Sequence, residues 1–112
     1  MSFNNQAVIV TGGSSGIGRA TALEFAKRGA KVVVSDINES GGKETVQLIQ
    51  ATGGEAFFVK TDVANSTDVQ HLVDTCVGKY GQLDHMINNA GIGLGLQFFD
   101  QIYQWDDLSH CL

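Results

Sequence analysis

Residues 11–18 read TGGSSGIG and follow the apolar run AVIV at 7–10. A continuous β-branched run of that kind marks a strand buried on both faces. Beyond it the spacing turns helical: Gly18, Ala22, Phe25, Ala26 and Gly29 share one face, with Arg19, Glu24, Lys27 and Arg28 elsewhere. Strand, glycine-rich turn and helix in that order make a phosphate cradle. The N–H groups at a helix mouth lack intrahelical partners, and the helix dipole adds partial positive charge. Gly12 permits the tight turn, Gly16 lets backbone approach a ligand, and Gly18 lets the helix pack close to the sheet. Ser14 and Ser15 add hydroxyl donors. Glycine-rich turns also end many strands for conformational reasons alone, so the pattern needs a second signal.

Asp36 supplies it. It stands 18 residues past Gly18, at the end of a second apolar run, KVVVSD at 31–36. A dinucleotide fold wants an acidic residue about 20 residues on, to accept hydrogen bonds from the adenosine ribose hydroxyls. The same charge would repel a 2′-phosphate, and neither Ser15 nor Ile37 offers a cation to attract one. NAD is therefore expected over NADP. One alternative stays open here: Asp36 could simply cap the helix that follows.

The rest of the chain repeats the alternation. AFFV at 56–59 reads as a third strand and HMIN at 85–88 as a weaker fourth, with helical segments between. Val69, Leu72, Val73, Cys76, Val77 and Tyr80 follow the i, i+3, i+4, i+7 rule, with Asn65 or Ser66 as cap and Gly81 as stop. The second helix, near 39–52, is the least secure because Gly41-Gly42 falls in its first turns. This βαβαβαβ order argues for an α/β fold with a parallel sheet covered on both faces.

The totals agree with one soluble domain of 112 residues, 43% hydrophobic and 17% charged. A net charge of −5 repels nucleic acid and anionic membranes. No apolar run reaches membrane-spanning length and the start MSFNNQ lacks a signal-peptide build, so a cytoplasmic address is expected. Cys76 and Cys111 read as free thiols, Cys76 buried. His71, His85 and His110 are scattered, and no cluster has the spacing of a metal site.

With these residues in hand, the chain resembles the short-chain dehydrogenase/reductase family. Thr11-Gly12-x-x-x-Gly16-x-Gly18 has that family's spacing, Asp62-Val63 resembles its adenine-contacting pair, and Asn88-Asn89-Ala90-Gly91 matches its NNAG motif. The resemblance runs from about residue 5 to Trp105-Asp106. It implies a Rossmann-type parallel sheet in order 3-2-1-4 and a family of oxidoreductases moving hydride between a nicotinamide and a hydroxyl or carbonyl carbon. It also implies a cofactor-contact set of Gly12, Ser14, Ser15, Gly16, Ile17, Gly18, Asp36, Asp62, Val63 and Asn89.

The family's proton-transfer group is a Tyr whose pKa is lowered by a Lys four residues on, aided by a Ser and an Asn. Here the tyrosines are Tyr80 and Tyr103, followed four residues on by Asp84 and Asp107, and no Lys or Arg occurs after Lys79. Tyr80 reads as the end of a helix face, Tyr103 as a helix or loop aromatic, and Ser109 has no partner. No catalytic residue is assigned. The expectation is a single, incomplete NAD-binding domain over 1–112, with a divergent tail at 92–112 and truncation after the fourth strand. That strand would become an exposed edge, inviting self-association or pairing with a full-length relative. The chain alone is expected to be inactive; the competing reading is a non-enzymatic nucleotide-binding or regulatory product.

Overall fold

The computed structural model describes residues 2–89, together with the backbone of Ile102–Tyr103. β1 (Ala7–Thr11), α1 (Gly16–Lys27), β2 (Lys31–Asp36), α2 (Glu39–Ala51), β3 (Glu55–Lys60), α3 (Ser66–Tyr80) and β4 (His85–Asn88) follow in that order. The four strands run parallel in the order β3-β2-β1-β4. This is the Rossmann-type arrangement expected.

Alternation along β1 explains why residues 7–10 are apolar without a break. Ala7 and Ile9 point to a cluster under α3 that holds Leu72, Val73 and Cys76. Val8 and Val10 point to the opposite cluster, with Ala22 of α1 and Val46 and Ile49 of α2. Each such side chain taken out of water contributes about 1.5–3 kcal/mol, so a polar residue on either face of β1 would be costly. Asn65 caps α3 by accepting from Asp68 N at 3.1 Å, and Gly81 ends it at φ 77°, as the spacing suggested. Cys76 is fully buried, and His71 is exposed. No helix among the described residues is long and apolar enough to cross a membrane.

Two expectations change. The outer edge of β4 is not bare: β5 (Ile102–Tyr103) pairs with it antiparallel, opposing Ile87 to Ile102 and Met86 to Tyr103. Unpaired strand groups accept whichever extended segment can reach them, and here the chain supplies its own. Tyr103 is accordingly a strand residue rather than a helix or loop aromatic. Ala90, Gly91, Trp105, Asp106, Ser109, His110 and Cys111 lie outside the described residues, as does all of the 92–112 tail except Ile102 and Tyr103.

Candidate functional site

Parallel pairing sets Thr11 beside Ser35 on one side and Asn88 on the other. The C-terminal ends of β1, β2 and β4 thus meet at one edge of the sheet, where ligands of open α/β sheets bind. The glycine loop leaves this edge from β1. Gly12 turns at φ 67° and Gly16 at φ 55°, both in the left-handed region that glycine enters at little cost. A Cβ on Gly16 would meet nothing within 4 Å, so that stretch of backbone presents a bare face. Gly18 has the opposite problem. A Cβ there would overlap the Gly12 carbonyl, so Gly18 packs the helix against the loop itself rather than against the sheet.

Asp36 lies across from the loop at the end of β2. Its Oδ2 accepts from Ser14 N at 3.1 Å and its Oδ1 from Asn38 N at 2.9 Å. Partial burial pushes its pKa up, but donors from Asn38, Ser14 and Ile37 outweigh that and hold the carboxyl below its usual value. Asp36 does not cap α2. That task falls to Asn38, whose side chain accepts from Gly41 N at 3.0 Å.

A cleft of about 350 Å³ opens between the ends of β1, β2 and β3, lined by Gly12, Asp36, Ile37, Thr61, Asp62, Val63 and Ala64. The structure therefore brings Gly12, Asp36, Asp62 and Val63 together. Ser14 adjoins them through Asp36, and Ser15, Gly16, Ile17 and Gly18 open α1 beside them. Asp62 is exposed, with Oδ1 accepting from Ala64 N at 2.9 Å. Asn89 follows β4; its side chain is buried and its Nδ2 has no partner among the described residues. Asn88 Oδ1 instead accepts from Thr11 Oγ1 at 3.0 Å, tying β4 to β1. Ile17 and Ile37 are 64% and 59% exposed, leaving apolar surface at the loop and beside the cleft.

Sequence reasoning passed over Thr61, Arg19 and Thr45. Thr61 directly follows β3 and its N–H donates to Asp36 O at 3.1 Å; its position one residue past the strand was the available signal. Arg19 looked like a surface residue of α1. Its guanidinium instead reaches Ser14 O at 2.6 Å, Gly41 O at 3.1 Å, Thr45 Oγ1 at 2.9 Å and Glu44 Oε1 at 2.7 Å. No local pattern announces those partners.

Bare backbone at a helix mouth, a carboxylate kept ionised beside it, an apolar-walled cleft and a buried amide donor form a donor set suited to a dinucleotide. Among the described residues no group of His, Cys, Asp and Glu could hold a metal ion.

Comparison with known proteins agrees. An uncharacterized oxidoreductase of Thermotoga maritima is 50% identical over 92 residues, covering 82% of this chain and 36% of that protein. The short-chain dehydrogenase/reductase homolog YusS of Bacillus subtilis is 43% identical over 93 residues, covering 82% of this chain and 85% of YusS. A crystal structure of a hydroxysteroid dehydrogenase from Escherichia coli aligns with a TM-score of 0.77 at 38% identity, over 79% of this chain and 37% of that one. A 7α-hydroxysteroid dehydrogenase complexed with NADH and 7-oxo glycochenodeoxycholic acid also aligns at 0.77 and 38%, over 79% of this chain and 34% of that one. The chain thus spans little more than a third of three of these relatives and most of the fourth. The family model for short chain dehydrogenase matches residues 6–111, and the chain belongs to that family.

Proposed function

We propose that residues 1–112 form a single dinucleotide-binding unit of an oxidoreductase, taking NAD in preference to NADP. The observation that carries this is Asp36: a carboxylate held below its usual pKa, at the wall of the cleft, next to the loop. On this reading the amides of Gly12, Ser15, Gly16, Ile17 and Gly18 and the hydroxyls of Ser14 and Ser15 hold the pyrophosphate. Asp36 accepts from the ribose hydroxyls and repels a 2′-phosphate. Asp62 accepts from the adenine amino group, Val63 gives a backbone contact and Asn89 a side-chain contact. When bound, the nicotinamide would supply a hydride carrier for a hydroxyl or carbonyl carbon. The similar 7α-hydroxysteroid dehydrogenase complexed with NADH, and a short chain dehydrogenase/reductase from Burkholderia phymatum in complex with NAD (TM-score 0.75, 34% identity), support a nicotinamide cofactor.

Such chemistry also needs a group to move a proton on the substrate oxygen. Tyr80 does not suit it. Its hydroxyl is buried without a partner among the described residues, and burial, with the charge of Glu55, raises its pKa rather than lowering it. Among the described residues no tyrosine therefore supplies that group, and the chain by itself is read as a binding unit without turnover. Calorimetric titration is the test: weak, saturable binding of NAD, weaker binding of NADP, and loss of NAD binding in Asp36→Ala. No heat with saturating NAD, or dehydrogenase turnover by the pure chain, would refute the reading.

A further inference from the structure

We propose that Arg19 and Thr45 are positioning residues that aim the amides of the glycine loop, an inference that rests on reading that loop as a phosphate cradle. A peptide unit is planar and trans, so its carbonyl and N–H point in opposite directions. Holding the carbonyl fixes the amide across from it.

Two successive peptide units are held this way. Gly13 O accepts from Thr45 Oγ1 at 2.7 Å, and the N–H across that unit, Ser14's, donates to Asp36 Oδ2 at 3.1 Å. Ser14 O accepts from Arg19 Nη2 at 2.6 Å, so the N–H across that unit, Ser15's, faces away from the clamp at the mouth of α1. The two anchors brace each other. Thr45 Oγ1 gives its single proton to Gly13 O at 2.7 Å, nearer than Gly41 O at 3.2 Å, and itself accepts from Arg19 Nε at 2.9 Å. Arg19 Nη1 pairs with Glu44 at 2.7 Å, and Nη2 also reaches Gly41 O at 3.1 Å. All three guanidinium nitrogens are engaged inside the protein, a fork that a lysine's single nitrogen cannot reproduce. Gly41 lets α2 come this close: a Cβ there would stand 2.9 Å from Ser14 Cβ and 3.0 Å from Ser14 O.

The test is a binding comparison among wild type, Arg19→Met, Arg19→Lys, Thr45→Val and Thr45→Ser, each confirmed folded by circular dichroism. NAD is titrated by calorimetry and adenosine, which has no phosphate, by NMR. Arg19→Met, Arg19→Lys and Thr45→Val should each weaken NAD about tenfold, roughly 1.4 kcal/mol; adenosine should be unchanged in the Arg19 variants and weakened less than NAD in Thr45→Val, whose peptide unit also holds Asp36. Thr45→Ser should retain wild-type affinity. Should Arg19→Met fail to fold, the two threonine variants decide. Unchanged NAD affinity in folded variants, or equal losses for both probes, would overturn the clamp while leaving the proposed function standing. A wild type silent toward NAD would overturn both.

Discussion

Replacing Gly18 by Ala should destabilise the chain, although the same change at Gly78 should stabilise it. Both glycines are helical, in α1 and α3, and neither has positive φ. In a helix interior alanine is favoured over glycine by about 1 kcal/mol, because glycine loses more backbone freedom on folding. At Gly78 nothing lies within 4 Å of the new methyl, so that gain should appear almost whole. At Gly18 the methyl overlaps Gly12 O and Gly12 C and stands 3.1 Å from Gly13 Cα. These are backbone atoms in a tight turn, and no rotamer change relieves the contact. Overpacking of this kind costs typically 1–3 kcal/mol. Taking the upper end for an unyielding neighbour and subtracting the helix gain leaves a net loss of about 2 kcal/mol. For a domain of this size that is a fall of roughly 10 °C in Tm. Thermal melts of wild type, Gly18→Ala and Gly78→Ala, followed by far-UV circular dichroism at one protein concentration, separate the two effects. A Gly18→Ala chain that melts at or above wild type would refute the packing argument, because propensity alone would then account for both sites.

Two further outcomes follow from ionisation. Asp36 is more acidic folded than unfolded, so its contribution is fully present above the unfolded pKa and is lost as pH falls through the folded pKa. Asp36→Asn should be less stable than wild type near neutrality, with the gap closing in acid; parallel urea midpoints across the range would count against it. Burial, with a smaller push from the Asp84 charge, raises the Cys76 thiol to about 12, so little thiolate exists near neutral pH. Iodoacetamide should label Cys76 only after denaturation, as read by peptide mapping, and rapid labelling of the native chain would contradict the burial.

Much of this is legible in the sequence. The apolar runs at 7–10, 31–36, 56–59 and 85–88 all lie within strands, and HMIN matches β4 residue for residue. A strand covered on both faces is apolar at successive positions, so its signal is local and strong. The α3 boundaries were readable for the same reason: an Asn that satisfies free amides and a Gly that turns left-handed each act within a few residues. Gly41-Gly42 made α2 the least secure of the expected helices, because propensity alone counts them as helix breakers, yet the helix forms over Glu39–Ala51. Their purpose is tertiary: a Cβ on Gly42 would overlap the Phe58 ring, and one on Gly41 would crowd Ser14. β5 was missed because a two-residue strand has too little periodicity to detect, and its reason for existing is the open side of β4.

Element order, the glycine spacing of the loop and the presence of an acidic residue at the end of β2 were determined by sequence alone, since each depends on neighbours a few positions away. That Asp36 grips Ser14 N, that Arg19 turns inward to hold Ser14 and Gly41, and that Thr45 reaches Gly13 were decided only in three dimensions. Those contacts join different elements of the fold. They exist because β2 lies parallel to β1 in one register and α2 presses on the loop between β1 and α1.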